Sequence, residues 1–322
     1  MPMLHRHRFF LFALVLCIYC WLFSGTEAFT AEVDKETKRV QAFASLISAK
    51  AGKMDSRQIW SMIDDYKRGG TPSEYFYVEV ASRLFSLKNT SDALKLCDLG
   101  MKEMPNSYQV LSLRGQIWTS VDELDRAAAD LKKAAQMGQK FAPTYYRLAN
   151  YYLASEDPKA ALSAIDKAIA LDDERGGTYH RFRAAILAQL KRFDEAAAEQ
   201  RLAIKMSIYD YERVLLVHEL ARYQFGAEKY NDCIATLLSL GESSKLARKS
   251  LDNRSILLAR CYERLGKNVQ AQAALKSISM SSEHYPIAQK MLLESYKKCG
   301  QKKEYLEQER KNRDLFKEIK PL

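Results

Sequence analysis

Glycine and proline are scarce in this 322-residue chain, at 13 and 7 residues. That scarcity excludes collagen-like and low-complexity classes and argues against the turn-rich chemistry of all-β domains. Histidine is scarcer still. Of five, His5 and His7 sit at the N-terminus, leaving His180, His218 and His284. No Gly-rich phosphate loop follows a strand, no nucleophile elbow occurs, and no His, Cys and Asp fall at metal-ligand spacing. The acids at 123 to 125 and 172 to 174 read as helix-start and loop residues. These gaps argue against an enzyme and against any metal or organic cofactor.

Long apolar runs are also missing, with one exception. Phe9 to Phe23 is unbroken, follows the basic start His5, Arg6, His7 and Arg8, and precedes Thr26 and Ala28, small residues two apart. Fifteen residues is short for a membrane span of ~20. Residues 1–28 therefore read as a cleavable export signal, with an uncleaved N-terminal anchor as the alternative. Both readings place the remainder outside the cytoplasm: in the periplasm, or facing it from the inner membrane. Cys17 follows Leu16 and Cys20 follows Tyr19, so neither fits a lipid-attachment site.

Charge of one sign is in excess, 50 Lys and Arg against 40 Asp and Glu. Removing 1–28 takes away only Arg6, Arg8 and Glu27, so the remainder stays basic. Such a surface suits acidic partners. Four cysteines follow the signal, with neither CxxC nor Cys/His spacing. Cys97 and Cys233 fall at apolar helical positions; Cys261 and Cys299 lie in neighbouring repeats, which leaves a bridge between them open.

What the chain does have is a returning small residue. Ala93, Ala127, Ala161 and Ala196 follow one another at 34, 34 and 35 residues. Twelve before each lie Ala81, Gly115, Ala149 and Ala184; seven after each lie Gly100, Ala134, Ala168 and Ala203. Such a register marks stacked helical units. Numbering each unit so that these residues fall at 8, 20 and 27, units begin at 74, 108, 142, 177, 214, 252 and 286. Later units drift: Ala221, Cys233 and Leu240 are offset by 37, and Ala259, Ala271 and Ile278 by a further 38. Constant offsets inside a unit place the extra residues in loops between units, such as 241–244. Leu293 and Tyr305 break the pattern in the seventh unit, as a terminal repeat does. Residues 29–73 read as an N-terminal helical cap or degenerate repeat, with one stripe of Val40, Phe43, Leu46 and Ile47 and another of Ile59, Met62, Ile63 and Tyr66. Residues 306–319 read as a charged, exposed helix.

The third unit supplies Tyr145, Leu148, Ala149, Tyr152, Ala161, Ile165 and Ala168; the second Leu111, Gly115, Trp118, Ala127, Leu131 and Ala134; the first Tyr77, Val80, Ala81, Leu84, Ala93, Gly100 and Pro105. In these residues the chain resembles the tetratricopeptide repeat. The resemblance implies an all-α, right-handed α-solenoid of helix–turn–helix units over residues 74–319. Small residues at 8 and 20 then let two helices cross within ~8 to 10 Å. Ala81 with Ala93, Gly115 with Ala127, Ala149 with Ala161, and Ala184 with Ala196 are such pairs, followed by Ala221, Ala259 and Ala271.

In that family the first helix of each unit lines a groove through positions 2, 5, 9, 12 and 13. Carried over, these are Gln109, Ser112, Gln116, Thr119 and Ser120 in the second unit, and Tyr146, Asn150 and Leu153 in the third. Later units give Arg181, Gln189, His218, Arg222, Phe225, Arg260, Glu263, Arg264, Lys290, Glu294, Lys297 and Lys298. The groove is thus neutral first and basic later. A family variant that clamps a C-terminal carboxylate fits only at Asn150; Tyr146, Phe182, Leu215 and Glu219 hold its other places, so the heat-shock co-chaperone role is not implied. A groove histidine among arginines, His218, has little reason to be charged. The expectation is a non-enzymatic scaffold or assembly factor of the cell envelope, holding a protein or peptide segment. The alternative is a binder of acidic polymer or a membrane surface through the basic half. No nucleic-acid partner is expected, and membrane contact through the N-terminus only if that segment stays uncleaved.

Overall fold

The computed structural model describes residues 33–50, 54–172, 176–207, 210–240 and 248–318. Among the described residues there are sixteen helices and no strand. They are α1 (33–50), α2 (Ser56–Arg68), α3 (Glu74–Ser86), α4 (Thr90–Glu103), α5 (Tyr108–Ser120), α6 (Leu124–Met137), α7 (Ala142–Ala154) and α8 (Pro158–Leu171), followed by α9 (Gly176–Gln189), α10 (Phe193–Met206), α11 (Asp210–Gly226), α12 (Tyr230–Leu238), α13 (Arg248–Arg264), α14 (Asn268–Lys276), α15 (Tyr285–Lys298) and α16 (Lys302–Glu318). The apolar run 9–23 and the loop 241–244 lie outside the described residues. No described helix is long and apolar enough to cross a membrane. The chain divides into two compact units, Met1–Ser155 and Glu156–Leu322.

Local chemistry starts and stops these helices. Ser73, Asn89, Ser107 and Asp157 each accept a backbone N–H of the first turn that follows, and Asp55 forms a reciprocal capping box with Gln58. Proline occupies the first turn of α7, α8 and α15, where its missing N–H costs nothing. The chain reverses between the two helices of a repeat through a left-handed residue. Lys88, Asp122, Glu156, Lys191, Glu228, Gly266 and Gly300 have φ of 65°, 64°, 59°, 60°, 59°, 71° and 69°. Each is position 15 of its unit. The next N–H closes back over the helix end, as in Asn89 to Leu84 O at 2.9 Å, Arg192 to Leu187 O at 2.9 Å and Lys267 to Tyr262 O at 2.8 Å, the Schellman arrangement.

In the first unit, α1 and α2 share a core with the first clear repeat. Val40, Ile47, Ile59, Ile63 and Tyr66 cluster with Phe76, Tyr77, Val80, Ala81 and Leu84. Val40, Ala44 and Ile47 fall on one face at i, i+4 and i+7. Leu46 lies off that face and is 40% exposed, so Ala44 replaces it in the stripe. Beyond the cap, α3 packs on α4 and α5 on α6, while α5 also touches α7. Gly115 accounts for the close α5–α6 approach: a Cβ there would stand 2.6 Å from Leu131 Cγ and 3.3 Å from Ala127 O.

In the second unit, α9 packs on α10, α11 on α12, α13 on α14 and α15 on α16. The small residues at the crossings, Ala184, Ala196, Ala221, Ala259 and Ala271, have 0% exposure. Helices α11 and α13 begin four residues before 214 and 252 and run 17 residues each. The extra residues of these repeats are therefore not confined to loops. They lengthen the first helix, because 210–213 and 248–251 contain residues that continue a helix readily and hold no proline or glycine. Leu293 and Tyr305 are only half-buried. The charged helix α16 is not exposed all round: Gln308 and Asn312 are buried, with Gln308 donating to Gln289 and, at 3.0 Å, to Asn312.

All four described cysteines are free. Cys261 lies in one core cluster with Cys233, so the bridge to Cys299 that the sequence left open is not formed.

Candidate functional site

The densest arrangement of the expected groove residues lies in the second unit, on the exposed face of α11. Leu215, His218, Glu219 and Arg222 stand at i, i+3, i+4 and i+7, one stripe of the helix. The opposite stripe, Leu216, Val217, Leu220 and Ala221, is buried. Arg181 from α9, Asn253 and Arg254 from α13, and Leu240 and Val214 complete a cavity of about 190 Å³. Small-molecule pockets run to ~300–1,000 Å³, so this one has room for about one side chain.

Two of its charges are already matched. Arg181 forks onto Glu219, Nε to Oε2 at 3.0 Å and Nη2 to Oε1 at 2.7 Å. Gln200 adds a hydrogen bond to Glu219 Oε2 at 3.1 Å and is itself held by donating to Leu216 O at 2.9 Å. Arg181, expected as a groove residue, is paired: the carboxylate one repeat on takes its fork. Arg222 is exposed and has no ion-pair partner among the described residues. It leaves the cavity with a cationic surplus.

His218 is the other unspent group. Its Nε2 is buried with no hydrogen-bond partner. Burial lowers the His218 pKa, the Arg222 charge lowers it further, and the nearby Asn253 backbone only partly opposes them. The ring is neutral, in line with the reading of a histidine among arginines.

The remaining candidates spread out. Phe225 is half-buried and meets Tyr230 edge-on at 5.5 Å against the α11–α13 core, which makes it partly a packing residue. Arg260, Arg264, Lys297 and Lys298 are exposed along α13 and α15. Between them Glu263 has a raised pKa, chiefly from burial. Lys290 lines a different, more apolar depression with Ile287, Leu293 and Arg313. In the first unit, Tyr146 and Asn150 are half-buried on α7, and Asn150 Nδ2 donates back to Tyr146 O at 3.0 Å.

Ser112 is not a groove residue. It is 0% exposed because Thr144 and Arg147 of α7 cover it, each donating to its Oγ at 2.9 Å, and Arg147 also takes Gln116 Oε1 at 2.8 Å. Sequence reasoning missed Asn253 and Arg254 as cavity residues. The available signal was their place at positions 2 and 3 of the sixth unit, beside Arg222. Among the described residues no group of three His, Cys, Asp or Glu could hold a metal ion.

No family model and no curated protein matches the sequence. Solved structures do. PilW, described as a widely conserved type IV pilus biogenesis factor, superposes with a TM-score of 0.53 at 18% identity, covering 65% of this chain and 95% of PilW. PilF of Pseudomonas aeruginosa gives 0.52 at 15%, covering 68% and 97%. A chain of the APC/C hetero-tetramer Cut9–Hcn1 gives 0.49 at 17%; it covers 69% of this protein, which spans only 42% of its length. These likenesses concern the fold. Together with the recurring register, the buried small residues at the crossings of the first six units and the left-handed turn at position 15 of every unit, they give this chain a tetratricopeptide-repeat fold.

Proposed function

We propose that the protein is a non-enzymatic scaffold or assembly factor of the cell envelope that holds a segment of a partner protein on the first-helix face of its second unit. The observation that carries this reading is the cleft at α9, α11 and α13: a cationic surplus at Arg222, an unpartnered ring nitrogen at His218 and an exposed apolar side chain, Leu215 at 51%. Arg offers a planar fork for carboxylates, and the cleft is sized for one side chain. The basic start and the apolar run before Ala28 support export to the periplasm, either free or held at the inner membrane. The description of PilW as a biogenesis factor supports an assembly role. The test is affinity capture from the envelope fraction with the wild type and with Arg222→Glu/Arg260→Glu. A partner retained by the first and lost by the second, with both proteins melting alike, supports the reading. Equal capture refutes it.

A second reading is favoured by the exposed row of Arg260, Arg264, Lys297 and Lys298: binding of an acidic polymer or an anionic membrane surface. Such binding rests on many screened charge pairs and falls steeply as salt rises. A segment anchored also by apolar contacts loses far less.

A further inference from the structure

We propose that Cys233 and Cys261 become joined by a disulfide, made while the chain folds after export. This rests on the export reading, which supplies an oxidising compartment. In the structure both are free thiols, 0% exposed, in one core cluster with Ala221, Leu237, Leu257 and Leu258. Cys233 lies on α12 and Cys261 on α13, and these two helices pack on each other. The repeat register explains the meeting. Cys233 is position 20 of the fifth repeat and Cys261 position 10 of the sixth. The same two positions come together between other repeats: Ala93 shares a core with Ile117, and Tyr223 packs against the cluster that holds Ala196. There an alanine faces a large side chain. Between the fifth and sixth repeats both positions hold cysteine, so two sulfurs fill that space. The thiols also act on each other: Cys261 first, and burial second, push the Cys233 thiol up.

Closing the bridge takes one proton and one electron from each thiol. The acceptor is the disulfide of a dithiol oxidase in that compartment, which is reduced to two thiols. One cysteine attacks that disulfide as its thiolate, and the second then displaces the oxidase from the mixed disulfide. Attack needs both a thiolate and access. The closed core offers neither, so the exchange precedes the packing of α12 on α13. Once they pack, the same burial shields the bridge from reductants. Cys97 takes no part, since it is buried in the core of the first unit, and Cys299 stands apart at the end of α15.

The experiment takes the full chain from the envelope fraction of acid-quenched cells. Free thiols are blocked with N-ethylmaleimide in denaturant, and tryptic peptides are weighed before and after reduction. The peptides carrying Cys233 and Cys261 should appear as one linked species, two hydrogens lighter than the pair, while Cys97 and Cys299 carry the maleimide. Cys233→Ala, Cys261→Ala and the double variant should all melt at one temperature, ~5–10 °C below the wild type, because either removal opens the bridge. Maleimide on both Cys233 and Cys261 in envelope-derived protein, or a link from either to Cys97 or Cys299, overturns this inference and leaves the export reading standing. Losses in the single variants that add up in the double overturn it too. A chain recovered only from the cytoplasm removes the export reading, and the bridge falls with it.

Discussion

Arg114 on α5 grips Asp130 on α6 with two hydrogen bonds, Nε to Oδ2 at 2.7 Å and Nη2 to Oδ1 at 2.8 Å, while its third nitrogen reaches Asp98 on α4 at 2.8 Å. The device recurs in the second unit, where Arg183 reaches Glu199 and Asp166, both at 2.6 Å. In both, the arginine is position 7, one acid is position 23 of its own repeat and the other position 25 of the repeat before. Position 7 is otherwise apolar and buried: Val80, Leu148, Leu220, Leu258 and Leu292. An arginine takes that place only where both acids accompany it.

Arg114→Leu alone should therefore destabilise by ~3–5 kcal/mol, because Asp130 is left buried without its partner. Arg114→Leu with Asp130→Leu should recover most of the loss. Urea unfolding of the single and double variants reads the coupling; purely additive losses would show that the fork contributes nothing of its own.

Gly115 sits where a Cβ would meet Leu131 at 2.6 Å. Gly115→Ala should lower stability by ~1–3 kcal/mol through overpacking, despite alanine's better helix propensity. Adding Leu131→Ala should relieve part of it. A Gly115→Ala chain that melts at or above the wild-type temperature would place the α5–α6 crossing elsewhere.

At position 15, Lys191 and Glu228 hold left-handed backbone that favours glycine. Lys191→Gly and Glu228→Gly should each raise stability, by up to ~1 kcal/mol, while Gly266→Ala should lower it by a similar amount. Thermal melts check the sign, which is opposite to that expected for glycine inside a helix.

Much of this fold was legible because small residues at a crossing are a steric requirement that shows directly in residue type. The position-15 turn was hidden because Lys, Asp and Glu occupy it in five repeats, and only Gly266 and Gly300 advertise it. In the cleft, Arg181, His218 and Arg222 followed from the register. Their roles did not: Arg181 is spent on Glu219, and the ring of His218 is half-buried with Nε2 unpartnered. Ser112 was misplaced for the same reason. Which neighbouring side chain is long enough to cover a groove position, here Arg147, depends on reach between helices and leaves no periodic trace.

Alkaline pH should unfold the first unit early. Burial pushes the Cys97 thiol from 9.0 up to about 12, and burial followed by the Glu36 hydrogen bond pushes Tyr66 from 10.0 up to about 12. In the unfolded chain both ionise at their ordinary values. The native preference is therefore complete below pH ~9 and drains as pH rises towards about 12. The melting temperature should fall across that window, and Cys97→Ala should make the fall shallower. A profile in Cys97→Ala as steep as the wild type's would assign the effect to other groups.

The central claim is that partners are held on the first-helix face of the second unit. A photoreactive benzoylphenylalanine placed at Leu215, 51% exposed on α11, or at Leu202, 42% exposed on the second helix α10, tests it with two side chains of like character and exposure. Illumination in the envelope fraction should yield a discrete cross-linked partner from position 215 and none from 202. Cross-links from 202 alone, or the same product from both, would contradict the account.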